Sequence, residues 1–213
     1  SLRWFRAANA PQTSTERCID CPVEHDCPYS AVDLYCTRRD WISNFDVPQG
    51  RTLDEVLLEE LRHGPYGRCI YRCDNDVVDH QQTNLLMEDG STISFTMCAF
   101  TESCYRYFKA MGTKGEIEAD MRSNEIHIRV FGEPEEIVDV RKIADDLKGH
   151  GGGDSGIVQD FLEMLIEDRA ATARTTTLEN SLESHFIALA AEQSRLEGGR
   201  VIDMDAFRRG ATE

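Results

Sequence analysis

Three cysteines near the start of the chain have a spacing that can bind a metal ion. They are Cys18, Cys21 and Cys27, in the pattern C-x2-C-x5-C on a proline-broken loop. Two thiolates separated by two residues can share one tetrahedral ion, because a short turn points both sulfurs inward at about 2.3 Å from zinc. We expect these cysteines to hold one structural zinc with Cys36 as the fourth ligand, because the residues between Cys27 and Cys36 can turn the chain back towards the ion. The alternative fourth ligand is His25.

Other interpretations of these thiols stay open. An iron–sulfur cluster is one, and ordinary reduced or disulfide-paired cysteines are another, because the spacing is not that of a standard zinc-finger repeat. The remaining cysteines are expected to be buried free thiols that pack as small apolar residues: Cys69, Cys73, Cys98 and Cys104.

A run of polar residues at the junction of two predicted strands is dense enough to line a ligand pocket. Its members are Arg72, Asp74, Asn75, Asp76, Asp79 and His80. A strand with one solvated face normally shows polar residues only at alternate positions. This mixture of donors and acceptors suits a hydroxyl-rich ligand, and the residues expected to bind it are Arg72, Asn75, Asp76 and His80. The alternative is a solvated turn with one buried hydrogen-bonding network.

The glycine-rich segment from His150 to Asp154 is a second candidate. Asp154 can simply cap the next helix by accepting hydrogen bonds from its first N–H groups. In the functional alternative, the three glycines let the backbone and His150 approach a ligand closely. We keep His150 and Asp154 as candidate substrate-binding residues.

The elements that must position these residues fall into two parts. Residues 1–50 are predicted to be a cysteine-rich loop appendage, and residues 51–213 to form one α+β domain. The domain opens with a helix over Leu53 to Leu61, in which Thr52 is the cap and Glu55 the capping-box partner, before Gly64-Pro65 ends it.

Five segments alternate polar and apolar residues and are predicted to be strands: Cys69 to Cys73, Val77 to Met87, Thr92 to Phe100, Gly115 to Ala119 and Glu125 to Phe131. The links between them are too short for parallel crossovers and favour an antiparallel meander. Two amphipathic helices follow Gly149. The predicted fold is therefore α+β, an open, mainly antiparallel sheet with helices packed on one face.

Composition excludes two classes of partner. The 213 residues carry 39 acidic and 23 basic side chains, a formal net charge of −16, which repels phosphate backbones and anionic lipid surfaces. We therefore expect no nucleic-acid and no membrane partner. Ser1–Pro11 lacks the charged-then-apolar order of a signal peptide. We expect a cytoplasmic protein, although an export signal upstream of Ser1 stays open.

Several strings, taken in order over roughly residues 64–204, resemble the C-terminal domain of the Gfo/Idh/MocA family, the relatives of glucose–fructose oxidoreductase and inositol dehydrogenase. They are Tyr66-Gly67-Arg68, Cys73 to Gln81, Glu88 to Met97, Met111 to Ile117, Gly149 to Asp154 and Ser181 to His185. The resemblance implies the substrate-binding and oligomerisation domain of an NAD(P)-dependent oxidoreductase. Its substrate would be a sugar, polyol or inositol-like molecule, and the domain would form a homo-oligomer through its sheet face.

What the chain lacks limits this resemblance. No strand leads into a G-x-G-x-x-G turn, and the family's catalytic lysine in a Glu-Lys-Pro string has no counterpart. We therefore expect no catalytic residue here and no binding of NAD or NADP by this chain alone. The alternative function is a non-catalytic binding or interaction module that uses the same sheet. A dinucleotide fingerprint in the coding sequence upstream of Ser1 would favour the enzyme.

Overall fold

The structure is a computed structural model that describes residues 2–143, 148–171 and 175–211. It confirms the α+β class, with helices and two open antiparallel sheets. The contacts divide the chain into two compact units, Ser1–Phe100 and Thr101–Glu213.

Helix α1 (Leu53–His63) begins at the predicted residue for the predicted reason. The hydroxyl of Thr52 accepts the N–H of Glu55, whose carboxylate accepts the N–H of Thr52 at 2.7 Å, and this reciprocal pair is a capping box. At the other end the guanidinium of Arg17 donates to the carbonyls of Arg62 and Gly64. These bonds satisfy terminal carbonyls and place a cation at the negative end of the helix.

Two small hydrophobic cores hold the first unit together. One contains Cys18, Ala31, Tyr35, Leu57 and Leu61, and the other contains Phe5, Cys69 and Tyr71. Leu57 and Leu61 project from α1, whereas Cys18, Ala31 and Tyr35 come from the cysteine-rich segment. Because both segments share a core, the cysteine-rich segment belongs to the same compact unit as α1, although the sequence suggested a boundary after residue 50.

A hairpin completes the first unit. Strands β1 (His80–Leu86) and β2 (Thr92–Cys98) pair antiparallel, and Gly90 has the positive φ of 83° that the predicted hairpin turn needs. The strand predicted over Cys69 to Cys73 is wrong. The chain turns there instead, because the N–H of Arg72 donates to the carbonyl of Cys69 at 2.9 Å.

The second unit contains a four-stranded antiparallel sheet in the order β3-β4-β5-β6. The strands are β3 (Tyr107–Met111), β4 (Gly115–Asp120), β5 (Glu125–Val130) and β6 (Glu136–Asp139). Strands β4 and β5 match predicted segments, whereas β3 and β6 were not predicted. A Cβ atom on Gly115 would lie 2.2 Å from the carbonyl oxygen of Arg129, so the pairing of β4 with β5 requires glycine there.

The described residues of the second unit form four helices: α2 (Lys148–Gly151), α3 (Gly153–Glu167), α4 (Leu178–Leu196) and α5 (Met204–Ala211). The apolar stripes predicted for α3 and α4 are present but lie largely in solvent, with Phe161 58% and Leu189 57% exposed. Among the residues that the structure describes, no helix is long and apolar enough to cross a membrane.

Candidate functional site

Asp79 is the most firmly held member of the predicted polar run. It directly precedes β1 and is 2% exposed. Its Oδ2 accepts the backbone N–H groups of Arg3, Trp4 and Phe5 at 2.9, 2.6 and 3.1 Å. The carboxylate therefore ties the N-terminal segment to the start of the hairpin.

The other oxygen of Asp79 orients the imidazole of His80. Oδ1 lies 2.7 Å from Nδ1 of His80, whose side chain is 44% exposed. Burial raises the pKa of Asp79, but the N–H groups of Trp4, Phe5 and Arg3, followed by His80, outweigh it and hold the pKa well below its usual range. Asp79 is thus an anion at neutral pH that fixes the ring of His80.

Aromatic rings line an open cavity beside His80. Its walls are Arg3, Trp4, Tyr29, His80 and Phe100, and its volume is about 520 Å³. Phe5 packs behind this wall, with ring centroids 5.1 Å from Tyr29 and 5.2 Å from Phe100. A small-molecule pocket typically has this size and combines apolar walls with a few polar groups.

Two other predicted residues line a different cavity of the first unit. Arg72 and Asn75 border a space of about 310 Å³ together with Glu16. The guanidinium of Arg72 donates to the hydroxyl of Ser14 at 3.2 Å. Asp76 is exposed and is not part of either lining. The structure therefore does not bring Arg72, Asn75 and Asp76 to the cavity of His80.

His150 and Asp154 belong to the second unit and contact each other. Nδ1 of His150 lies 2.9 Å from Oδ1 of Asp154, and both side chains are exposed. Asp154 is not the cap of α3, because the cap position is Gly152, which makes no side-chain cap hydrogen bond. Gly152 has a φ of 88°, so the glycines serve to turn the chain between α2 and α3.

The candidate metal centre has a different composition from the one predicted. Cys18, Cys21, Cys27 and Cys69 all line one enclosed cavity. Burial raises the pKa of the Cys18 thiol, and the nearby thiols of Cys69, Cys27 and Cys21 raise it further, although a backbone hydrogen bond from Ala31 opposes them. The three predicted cysteines are thus together, and the fourth thiol beside them is Cys69.

The structure places Cys36 elsewhere. It packs against the core formed by Leu57 and Leu61. Burial raises the pKa of its thiol, and the charged groups that act on it are Arg39, Asp54 and Glu24, not the other thiols. His25 is exposed and pairs with Asp26. Within the described ranges, no three histidine, cysteine or acidic side chains are already arranged to hold an ion.

Sequence reasoning missed several residues of both sites. Nothing in the local pattern linked Trp4, Tyr29 or Phe100 to His80, because these residues lie on separate segments. Cys69 was assigned to a strand as a buried thiol. The Arg-Cys pair occurs at Arg17-Cys18, Arg68-Cys69 and Arg72-Cys73, so this pair does not distinguish Cys69 from Cys73.

The described residues do not form the phosphate site of a Rossmann fold. All strand pairings among them are antiparallel, and α3 follows α2 instead of a strand. A Rossmann phosphate site needs a parallel strand, a glycine-rich turn and a helix N-terminus in sequence. The Gly151–Gly153 segment therefore offers no such site.

Comparison with known proteins adds no relative: no family model, no curated protein and no solved structure matches the chain. The Gfo/Idh/MocA resemblance accordingly stays a prediction from the sequence strings.

Proposed function

We propose that the chain is the substrate-side part of an NAD(P)-dependent oxidoreductase of the Gfo/Idh/MocA type. Its substrate is a sugar, a polyol or an inositol-like molecule. The observation that carries this proposal is the aromatic cavity in which Asp79 orients His80. In this proposal another part of the enzyme binds the cofactor, as the family resemblance implies.

The chemistry of the cavity suits a ring that bears hydroxyl groups. The side chains of Trp4, Tyr29 and Phe100 provide apolar surface for the C–H groups of such a ring. The guanidinium of Arg3 donates hydrogen bonds, and an imidazole can donate or accept them. Because Asp79 already fixes the ring of His80, ligand binding does not cost the entropy of ordering this side chain.

Ligand titration of the chain tests this proposal. We expect myo-inositol or a related cyclic polyol to bind with a dissociation constant that is roughly millimolar or tighter, given about 0.3 kcal/mol or more per ligand heavy atom. His80→Ala should weaken binding by roughly 2- to 10-fold, the equivalent of one hydrogen bond. His185→Ala is the matched control, because His185 is exposed on α4 and bonds to the carbonyl of Ser181.

The same titration includes NADH and NADPH, for which we expect no saturable signal. Saturable dinucleotide binding, or polyol binding that His80→Ala and His185→Ala weaken equally, would contradict the proposal. Binding of none of the sugars and polyols would favour the non-catalytic module.

We also propose that the protein is a homo-oligomer in which the sheet face of the hairpin contacts a second copy. Ile93 is 45% and Phe95 53% exposed on β2, and apolar surface of this kind is stabilised by burial.

Light scattering should give a mass above that of one chain, and Phe95→Asp should shift it towards the monomer. Ser94→Asp, one residue away on the opposite face of β2, is the control and should keep the oligomer. A monomeric wild-type chain at high concentration would contradict this assignment. We place the protein in the cytoplasm, where thiols such as those of the cysteine cluster stay reduced.

A further inference from the structure

Four cysteines of the first unit lie at one small cavity. Cys18 and Cys69 are buried, and Cys21 and Cys27 are half-buried. All four residues line the cavity, and all four cysteines are free. The free volume at its centre is about 10 Å³, which is the space of a single water-sized sphere.

The backbone brings three of these thiols together through consecutive turns. Cys18–Asp20 and Glu24–Asp26 are 3-10 turns. The N–H of Cys21 donates to the carbonyl of Cys18, and the N–H of Cys27 donates to that of Glu24, both at 3.1 Å. Each turn thus ends at a cysteine, and a hydrogen bond from Glu24 N–H to the Cys21 carbonyl joins them.

Cys69 is fixed beside Cys18 by long-range pairing. Arg17 and Arg68 form an antiparallel bridge, and the N–H of Cys69 donates to the carbonyl of Glu16 at 2.9 Å. Gly67 packs so tightly that a Cβ atom would lie 2.0 Å from the carbonyl oxygen of Leu61. The segment that carries Cys69 therefore has little freedom to move away from the other three cysteines.

We propose that Cys18, Cys21, Cys27 and Cys69 bind one zinc ion. Four sulfur ligands are a standard closed set for structural zinc. Binding replaces the four thiol protons, so four protons are released and the site gains a formal charge of −2. No described group of three such side chains is arranged to hold an ion, so the proposal requires the four thiols to move towards one another when zinc binds.

Two other cysteines serve as internal controls. Cys36 packs in the core with Leu57 and Leu61 and is not part of the cavity lining. Cys73 lies close in sequence to Cys69, but its thiol donates to the Cys69 carbonyl at 3.2 Å and does not line the cavity. The proposal thus predicts different outcomes for thiols that the sequence alone treats alike.

Metal analysis of the chain purified without added metal tests the proposal. We expect close to one zinc per chain in the wild type and in Cys36→Ser. Cys69→Ser should lower zinc affinity by more than the roughly 10- to 100-fold that loss of an outer-shell partner costs. The proposal is overturned if Cys69→Ser keeps wild-type affinity, if Cys36→Ser loses it, or if the wild type contains iron and acid-labile sulfide or no metal.

If Cys69→Ser does not fold, alkylation of the wild-type chain tests the proposed ligand set instead. With zinc bound, Cys98 and Cys104, which are exposed, should react first. Removal of zinc by a chelator should then make four thiols reactive together, those of Cys18, Cys21, Cys27 and Cys69. Mass spectrometry of the labelled peptides identifies them. Release of Cys36 in place of Cys69, or a labelling pattern that the chelator does not change, contradicts the proposed ligand set.

Discussion

Asp79→Ala is expected to lower the free energy of unfolding by about 3 to 5 kcal/mol. The substitution removes a buried anion that accepts the N–H groups of Arg3, Trp4 and Phe5. Those donors would then lack their partner. Asp76→Ala, in the same polar run but exposed, should change the free energy by no more than about 0.5 kcal/mol. Urea denaturation followed by circular dichroism measures both.

The effect of Asp79 should depend on pH in a defined direction. Its pKa is lower in the folded chain than the ordinary value of about 3.9, so its contribution is complete above about pH 5. It is lost as the pH falls through the folded pKa. The stability difference between the wild type and Asp79→Ala should therefore be constant near neutral pH and shrink below about pH 4. A difference that grows on acidification would show that the carboxylate is not the stabilising form.

Leu57→Ala should lower the free energy of unfolding by about 2 to 5 kcal/mol, which is comparable to the effect of Asp79→Ala. The Leu57 side chain is 1% exposed, and its removal leaves a cavity. Leu58→Ala is the matched control on the same helix, since Leu58 is 41% exposed. Leu58→Ala should lower the free energy of unfolding by about 0.5 kcal/mol or less. Equal losses in the two variants would contradict the assignment of the α1 face that packs in the core.

Leu57 also connects the core to the proposed metal centre. It belongs to the same buried cluster as Cys18, so loosening this core should also reduce zinc affinity. Residues that share one cluster give non-additive effects. We expect the cost of Leu57→Ala to be smaller when zinc has already been removed by a chelator.

Features set by neighbouring residues were predictable from the sequence. The capping box of Thr52 and Glu55 and the turn at Gly90 each depend on a few adjacent residues, and the structure contains both. The pairing of β4 with β5 was equally accessible, because the strands alternate regularly and the link between them is short.

Features that depend on distant pairing were not predictable. Cys69 reaches Cys18 only because Arg17 and Arg68 pair across about fifty residues. Its alternating neighbours indicated a strand, but the N–H of Arg72 donates to the Cys69 carbonyl and turns the chain there instead. The cavity of His80 likewise depends on the N-terminal segment, which Asp79 holds in place. No local pattern encodes either contact.

Histidine-resolved NMR during a polyol titration tests the central proposal most directly. The chain has six histidines, and His80→Gln identifies the ring signals of His80. We predict that myo-inositol shifts the His80 signals saturably, while those of His63 and His185 stay in place. If none of the histidine signals shifts, or if all six shift together without saturation, the cavity beside Asp79 is not a substrate site.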